Sequence, residues 1–377
     1  MATISIDVLQ SCILARLPVK SLLRFKSVSK TWQTVISSRE FINLYHQYTI
    51  SSDADSLFVL VDKDLQQMFH VYELDSPLSP VVHWYNPKPA KPESTKNMSI
   101  LDSCEFFLLV NIKGIHELVL LNPSTGKNYK IPHPPFDCGY KQRYGMYLDE
   151  ANNDYKVARI TQKYPLKNSA VVETNTEITV YSLRTNTWRL IDRRFDIRYS
   201  IWCNGTAAVI RNLLHMIFVP FSFNSEHELV YGKKIIIACF DILAEKWTND
   251  VPFPPVNNLR SINLSVLDGL LCVTGVDTEE NGSEYWNVWV MKKYGDKDSW
   301  FKLMNIASND SLYKKFYPIA FRNRSRDEVL CSGLSNGEYI WYDIRKKKVV
   351  SAAMKGFYGY ICKGSLVDFP GVQHHLD

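Results

Sequence analysis

Six segments of the chain share one pattern. An apolar run ends in an aromatic residue or Leu, then come an acidic or small polar residue, a short turn, and a Trp or its substitute opening the next run. They read HVYELDSPLSPVV, LVLLNPSTGKNYKIP, ITVYSLRTNTWRLID, IIACFDILAEKWTND, VWVMKKYGDKDSWFKL and YIWYDIRKKKVVSA. The run-end anchors are Tyr72, Leu121, Tyr181, Phe240, Met291 and Tyr342, at intervals of 49, 60, 59, 51 and 51 residues. Trp188, Trp247 and Trp300 hold the position after the turn; Asn128 and Val349 replace the Trp, and Ser79 stands there in the weakest copy.

A period near fifty with one hairpin per repeat predicts a radial array of four-stranded sheets. That is a kelch-like β-propeller of about six blades, placed over residues 52–370. A β-sandwich also gives turn signals, but not six related units at this spacing. The fold class expected is α+β multidomain: a small all-α head, residues 1–48, followed by the all-β propeller. A length of 377 residues agrees, since it exceeds what one core usually supports.

In the head, Ser5 is placed to cap a first helix whose apolar face is Val8, Leu9, Cys12, Ile13 and Leu17. Pro18 ends that helix and starts a short second one with Leu22, Leu23 and Phe25. Ser27 or Ser29 caps a third, with Val28, Trp32, Val35 and Ile36 inward, and a fourth runs from Ser38 to Tyr48. So small a domain buries too little surface to stand alone, which points either to a partner or to packing on the rest of the chain.

Composition excludes several functions. A net charge of +5 without a long basic stripe argues against nucleic-acid binding, and Arg345–Lys348 is expected to be a solvated turn. No apolar stretch reaches 18 residues and the first ten residues do not read as a secretory signal, so no membrane association is expected. The eight scattered cysteines lack zinc spacing and suit a reducing compartment, cytoplasm or nucleus. No phosphate loop or HExxH is present. No catalytic residue, metal or cofactor is therefore assigned. His133, among prolines, reads as a rigid interblade loop, and His374–His375 as a tail.

The stretch LARLPVKSLLRFKSVSKTWQTVISSREF, Leu14 to Phe41, resembles the F-box of the large plant family that carries an F-box-associated domain. LLNPSTGK, DYKVARI, YSLRTNTWR, VWVMKKYG, SWFKL and NGEYIWYD are similar to segments of that domain, in the family's order. Pollen S-locus F-box proteins and regulators of plant immune receptors share the architecture. The resemblance implies the substrate-recognition subunit of an SCF ubiquitin ligase. Its partners would be a Skp-type adaptor, through it a cullin, and a protein substrate such as an S-locus ribonuclease or an immune receptor. Carried over by position, the adaptor face is Ile13, Leu14, Leu17, Pro18, Val19, Leu22, Leu23, Val28 and Trp32. The alternatives are a scaffold or a propeller enzyme outside any ligase.

Two features depart from the family. Ser5-Ile6 stand where a Leu-Pro pair is usual, and Ser103-Cys104-Glu105-Phe106-Phe107 lacks a turn glycine. For the substrate, two aromatic-basic stretches, 138–144 and 193–199, are expected to be face loops. Their candidate contacts are Tyr140, Arg143, Tyr144, Arg193, Arg194 and Arg198, because Arg and Tyr dominate binding hot spots.

Overall fold

The computed structural model describes residues 8–51, 56–61, 69–74, 81–83, 98–112, 117–134, 141–163, 175–195, 199–201, 207–223, 229–232, 235–256, 259–278, 282–307, 316–322, 326–333, 337–367 and 369. They form a helical head followed by a six-bladed β-propeller. The chain divides into two compact units, residues 1–131 with 356–377, and residues 132–355.

The first unit begins with the head. Where one regular helix was expected, a π turn, Leu9–Ile13, runs into a 3-10 turn, Leu14–Arg16. Pro18 forces Leu17 into extended backbone (ψ 147°), so too few residues remain for a cooperative α ladder. Helix α1, Val19–Phe25, follows Pro18 directly. Helix α2, Lys30–Ser37, is capped by Ser29 and not Ser27: the Ser29 hydroxyl accepts the Trp32 amide at 3.2 Å. Helix α3, Arg39–Ser51, has Ser38 accepting the Phe41 amide at 3.2 Å and continues past Tyr48, with the Thr49 hydroxyl donating to the Tyr45 carbonyl at 2.8 Å. The head's core is Leu14, Val19, Leu22, Ile36, Phe41 and Tyr45, together with Leu366 from the far end of the chain.

The same unit holds blade 1 (Ser56–Val61, Phe69–Glu73, Val81–His83) and blade 2 (Met98–Cys104, Phe107–Ile112, Glu117–Leu121, Asn128–Ile131). Blade 1 takes its remaining strand from the C-terminus. Phe357–Lys363 pairs antiparallel with Ser56–Val61, in the place that Met98–Cys104 fills in blade 2. Leu57, Val59, Val61, Ile100, Leu108, Val110 and Val119 make one core between the two blades. After that strand the tail is clamped by the Asn122 loop. The Asn122 side-chain amide donates to the Val367 carbonyl at 2.9 Å, and the Ser124 hydroxyl accepts the Ser365 amide at 3.0 Å. Phe369 stacks on Phe107 at 4.9 Å.

The second unit holds blades 3 to 6. Blade 3 is Lys141–Asp149, Asp154–Lys163, Asn175–Ser182 and Thr187–Phe195. Blade 4 is built on the long strand Leu213–Phe223, flanked by Tyr199–Ile201 and Ala208–Ile210 on one side and by Ile236–Asp241 with Lys246–Trp247 on the other. Blade 5 is Arg260–Leu267, Leu270–Thr278, Glu284–Met291 and Trp300–Ala307; blade 6 is Phe316–Arg322, Glu328–Gly333, Glu338–Asp343 and Lys348–Lys355. Apolar clusters lie between blades 3 and 4, 4 and 5, and 5 and 6.

All six anchors fall near the end of a blade's third strand. Leu121, Tyr181, Phe240, Met291 and Tyr342 sit opposite Asn128, Trp188, Trp247, Trp300 and Val349 in register; Ser79 lies outside the described residues. In four of these turns the residue two before the post-turn position is left-handed: Gly126, Asn186, Glu245 and Lys347, at φ 50–72°. Arg345–Lys348 thus spans a hairpin turn, held by the Lys346 amide on Asp343 at 2.8 Å.

Candidate functional site

The nine head residues expected on one adaptor face divide three ways. Leu14, Val19 and Leu22 are in the core, while Leu17, Leu23 and Trp32 lie half-buried against it, Trp32 edge-on to Phe25 at 5.4 Å. Ile13 and Val28 are 42% and 65% exposed, and Pro18 is exposed too. Helical spacing identifies apolar positions, but helices this short cannot tell which of two neighbours, Ile13 or Leu14, turns inward. Val8 and Ile50 are further exposed apolar side chains of the head. The first was read as part of the first helix's apolar face and the second lay beyond the expected helix. Uncovered apolar side chains on so small a unit are what a protein partner covers.

The missing turn glycine has a structural use. Glu105 takes the left-handed conformation, φ 48°, in a two-residue turn between Cys104 and Phe107. This turn lifts Phe106 into a fully buried position edge-on to the His46 ring of α3, at 4.6 Å between centroids. The Lys363 amide closes it by donating to the Glu105 carbonyl at 2.6 Å. Burial holds the His46 imidazole below its ordinary pKa, so it stays neutral at pH 7. The departure from the family pattern thus seats helix α3 on blade 2.

The described parts of the two aromatic-basic stretches, residues 141–144, 193–195 and 199, lie in strands where loops were expected. Arg143 and Tyr144 lie in the first strand of blade 3, and Arg193 and Arg194 in its last. Tyr140 and Arg198 fall outside the described residues, as do Ser5 and Ile6. Three strand spacings, about 14 Å, separate the two edges of that sheet. The Arg143 guanidinium donates to the Gln142 carbonyl at 2.7 Å, and the Tyr144 hydroxyl to the Gln142 side chain at 2.9 Å. Charged residues on both faces hid the strand alternation that would have identified these segments.

Other reactive groups are built into packing. Trp188 donates its indole N–H to the Pro132 carbonyl at 2.7 Å and Trp300 to the Pro252 carbonyl at 2.9 Å. Each carbonyl opens a Pro-x-Pro-Pro run, Pro132–Pro135 and Pro252–Pro255, a recurrence that sequence reading missed. Trp247 meets Phe240 and Phe218 edge-on. Burial pushes the Cys272 thiol up to about 12, far from a nucleophile's range. Among the described residues no three His, Cys, Asp or Glu side chains converge as metal ligands, and no helix is long and apolar enough to cross a membrane.

Comparison with known proteins accounts for both parts. Residues 7–44 match the F-box domain, and residues 54–361 match the F-box associated beta propeller domain. The F-box protein CPR1 of Arabidopsis thaliana is 26% identical, over 94% of this chain and 85% of its own length. A second F-box protein of that plant is 23% identical, over 94% and 87%. Among solved structures, a chain of the nidogen/laminin complex covers 82% of this chain and 99% of its own at 8% identity. Its TM-score of 0.42 is too low to bear on function.

Proposed function

The chain belongs to the F-box proteins that carry an F-box associated beta propeller domain, and on that premise we propose that it is the substrate-recognition subunit of an SCF ubiquitin ligase. Residues 1–48 dock a Skp-type adaptor and, through it, a cullin; residues 52–370 hold the target. The observation that carries this reading is an F-box whose Ile13 and Val28 stay exposed although its core is filled, with Leu366 as its last member. Such a receptor does no bond chemistry. It raises the local concentration of target lysines near a charged conjugating enzyme. The target is a protein, of the class of an S-locus ribonuclease or an immune receptor, met in cytoplasm or nucleus without a cofactor.

The test is co-purification with the adaptor of an Ile13→Asp/Val28→Asp variant. Charges at these two sites leave the core intact, whereas Leu22→Asp would unfold the head. Desolvating them costs enough to weaken binding by about 100-fold or more, with an unchanged melt. Adaptor recovery at the wild-type level would overturn the assignment.

A further inference from the structure

Blade 4 sets two side chains of metal-ligand type directly opposite each other on neighbouring strands: His215 and Cys239. Both are buried, at 0% and 1% exposure. The same cross-strand pair is Ala158 with Val180 in blade 3 and Leu330 with Trp341 in blade 6. A third donor, the half-buried Tyr294, comes from the hairpin turn of blade 5, in the same compact unit. Its hydroxyl lies 2.6 Å from His215 Nε2 and 3.5 Å from Cys239 Sγ, and Sγ lies 3.6 Å from Nε2. One nitrogen, one sulfur and one phenol oxygen thus form a triangle.

That triangle has nearly the dimensions of a coordination shell. A tetrahedral ion with sulfur at about 2.3 Å and nitrogen or oxygen at about 2.0–2.1 Å spaces its sulfur about 3.5 Å from the other donors. It spaces nitrogen and oxygen about 3.3 Å from each other. Both sulfur edges match already; the Tyr294–His215 edge must lengthen from 2.6 Å by roughly 0.7 Å. Tyr294 rides on the turn between Glu284–Met291 and Trp300–Ala307, so that shift needs no strand to move. His215 is oriented as a ligand. The Ala208 carbonyl, 3.0 Å from Nδ1, can only accept, so Nδ1 carries the proton and Nε2 presents its lone pair. A backbone carbonyl behind the imidazole is a usual support of a metal-bound histidine. The Arg211 guanidinium lies 5.8 Å from the centre of the Tyr294 ring, and its charge favours the phenolate.

We propose that His215, Cys239 and Tyr294 form a structural zinc site that staples the turn of blade 5 to blade 4. Nε2, Sγ and Oη are the protein ligands, and water takes the fourth position on the side where Tyr294 meets solvent. The thiol and the phenol each release a proton to solvent, and no electron moves. Thiolate and phenolate cancel the ion's two charges, so burial does not oppose the complex as it would an unpaired ion. A thiolate beside an imidazole selects zinc over magnesium or calcium. Without the ion, the same three groups satisfy one another by hydrogen bonds.

The experiment is a cobalt(II) titration of the full-length protein after treatment with chelator, cobalt standing in for zinc because its thiolate complexes absorb in the near ultraviolet. The expected result is a thiolate-to-cobalt charge-transfer band that saturates at one equivalent and disappears when zinc is added. Zinc binding should release close to two protons per ion and raise Tm by several degrees. Cys239→Ser abolishes the band. Tyr294→Phe keeps it but releases one proton fewer. A wild-type protein that gives no charge-transfer band at one equivalent overturns the proposal, whether or not the variants fold. So does an undiminished band in Cys239→Ser, or undiminished proton release in Tyr294→Phe.

Discussion

Blades 3 and 4 share a core, and each sets one basic side chain where the repeat elsewhere keeps uncharged, mostly apolar ones. In blade 4 it is His215, whose counterparts are Val59, Leu109, Ala158, Cys272 and Leu330. Its Nδ1 lies 3.0 Å from the Ala208 carbonyl and its Nε2 2.6 Å from the Tyr294 hydroxyl. A carbonyl only accepts, so Nδ1 carries the proton and Nε2 receives the tyrosine's. Arg159 in blade 3 has no such arrangement. The difference teaches that a propeller blade accommodates a buried polar group when a neighbour supplies its partner. Here the turn of blade 5 lends Tyr294; nothing described lends Arg159 an acceptor.

The largest effects expected separate how the two blades use tryptophan. Trp188→Ala and Trp247→Ala should each cost about 3 kcal/mol and lower Tm by roughly 6–12 °C. Phenylalanine should distinguish them. Trp188→Phe also loses the bond to Pro132 and costs about 1 kcal/mol more than Trp247→Phe, which keeps its edge-on ring contacts. Equal losses in a melting series would mean the Pro132 bond contributes nothing.

Acid should expose His215 next. Burial holds its pKa below the ordinary value, an effect the Ala208 and Leu213 backbone bonds only partly offset. The unfolded imidazole therefore binds a proton near pH 6.5 while the folded one resists. Stability is full above that pH and falls as pH drops toward the folded pKa, by up to about 1.4 kcal/mol per pH unit. His215→Leu should reduce this slope between pH 6.5 and 5, leaving the share of His46. At pH 7.5 it should cost about 1–3 kcal/mol because Tyr294 loses its acceptor. A pH-melting series unchanged by the substitution would remove His215 from the comparison.

The smallest effect concerns the ion pair that ties the two blades at their rim. The Arg189 guanidinium donates to Glu245 Oε2 at 2.8 Å and also contacts Oε1, but Arg189 is 64% exposed. A double-mutant cycle should give a coupling below about 1 kcal/mol, screened further by added salt. A larger, salt-resistant value would show that the blades are joined electrostatically and not through their shared core.

The propeller was legible because its hairpin returns in equivalent surroundings, so that Tyr181 before Trp188 and Phe240 before Trp247 point to the same strand ends. Closure of blade 1 by Phe357–Lys363 was not, since strand pairing between residues 300 apart leaves no local signal. The strands carrying Arg143 and Arg193 were read as loops because their polarity does not alternate. Arg159 sits in DYKVARI, which read only as a family segment; its burial becomes visible against the other blades' registers. In the head, spacing identified the apolar residues of the candidate adaptor surface, but Leu14 and Ile13 were sorted only by packing.

Leu366 completes the core of a head whose other members end at Tyr45. On a ribosome adding about 5–20 residues per second, roughly 15–65 s pass between the two. Throughout that interval the nascent head has a hole where a leucine belongs. A message truncated before codon 366 would release a chain with every helix of the head present and the interior between them unfilled. Synthesis through Leu366 is thus a precondition for a head with a filled interior.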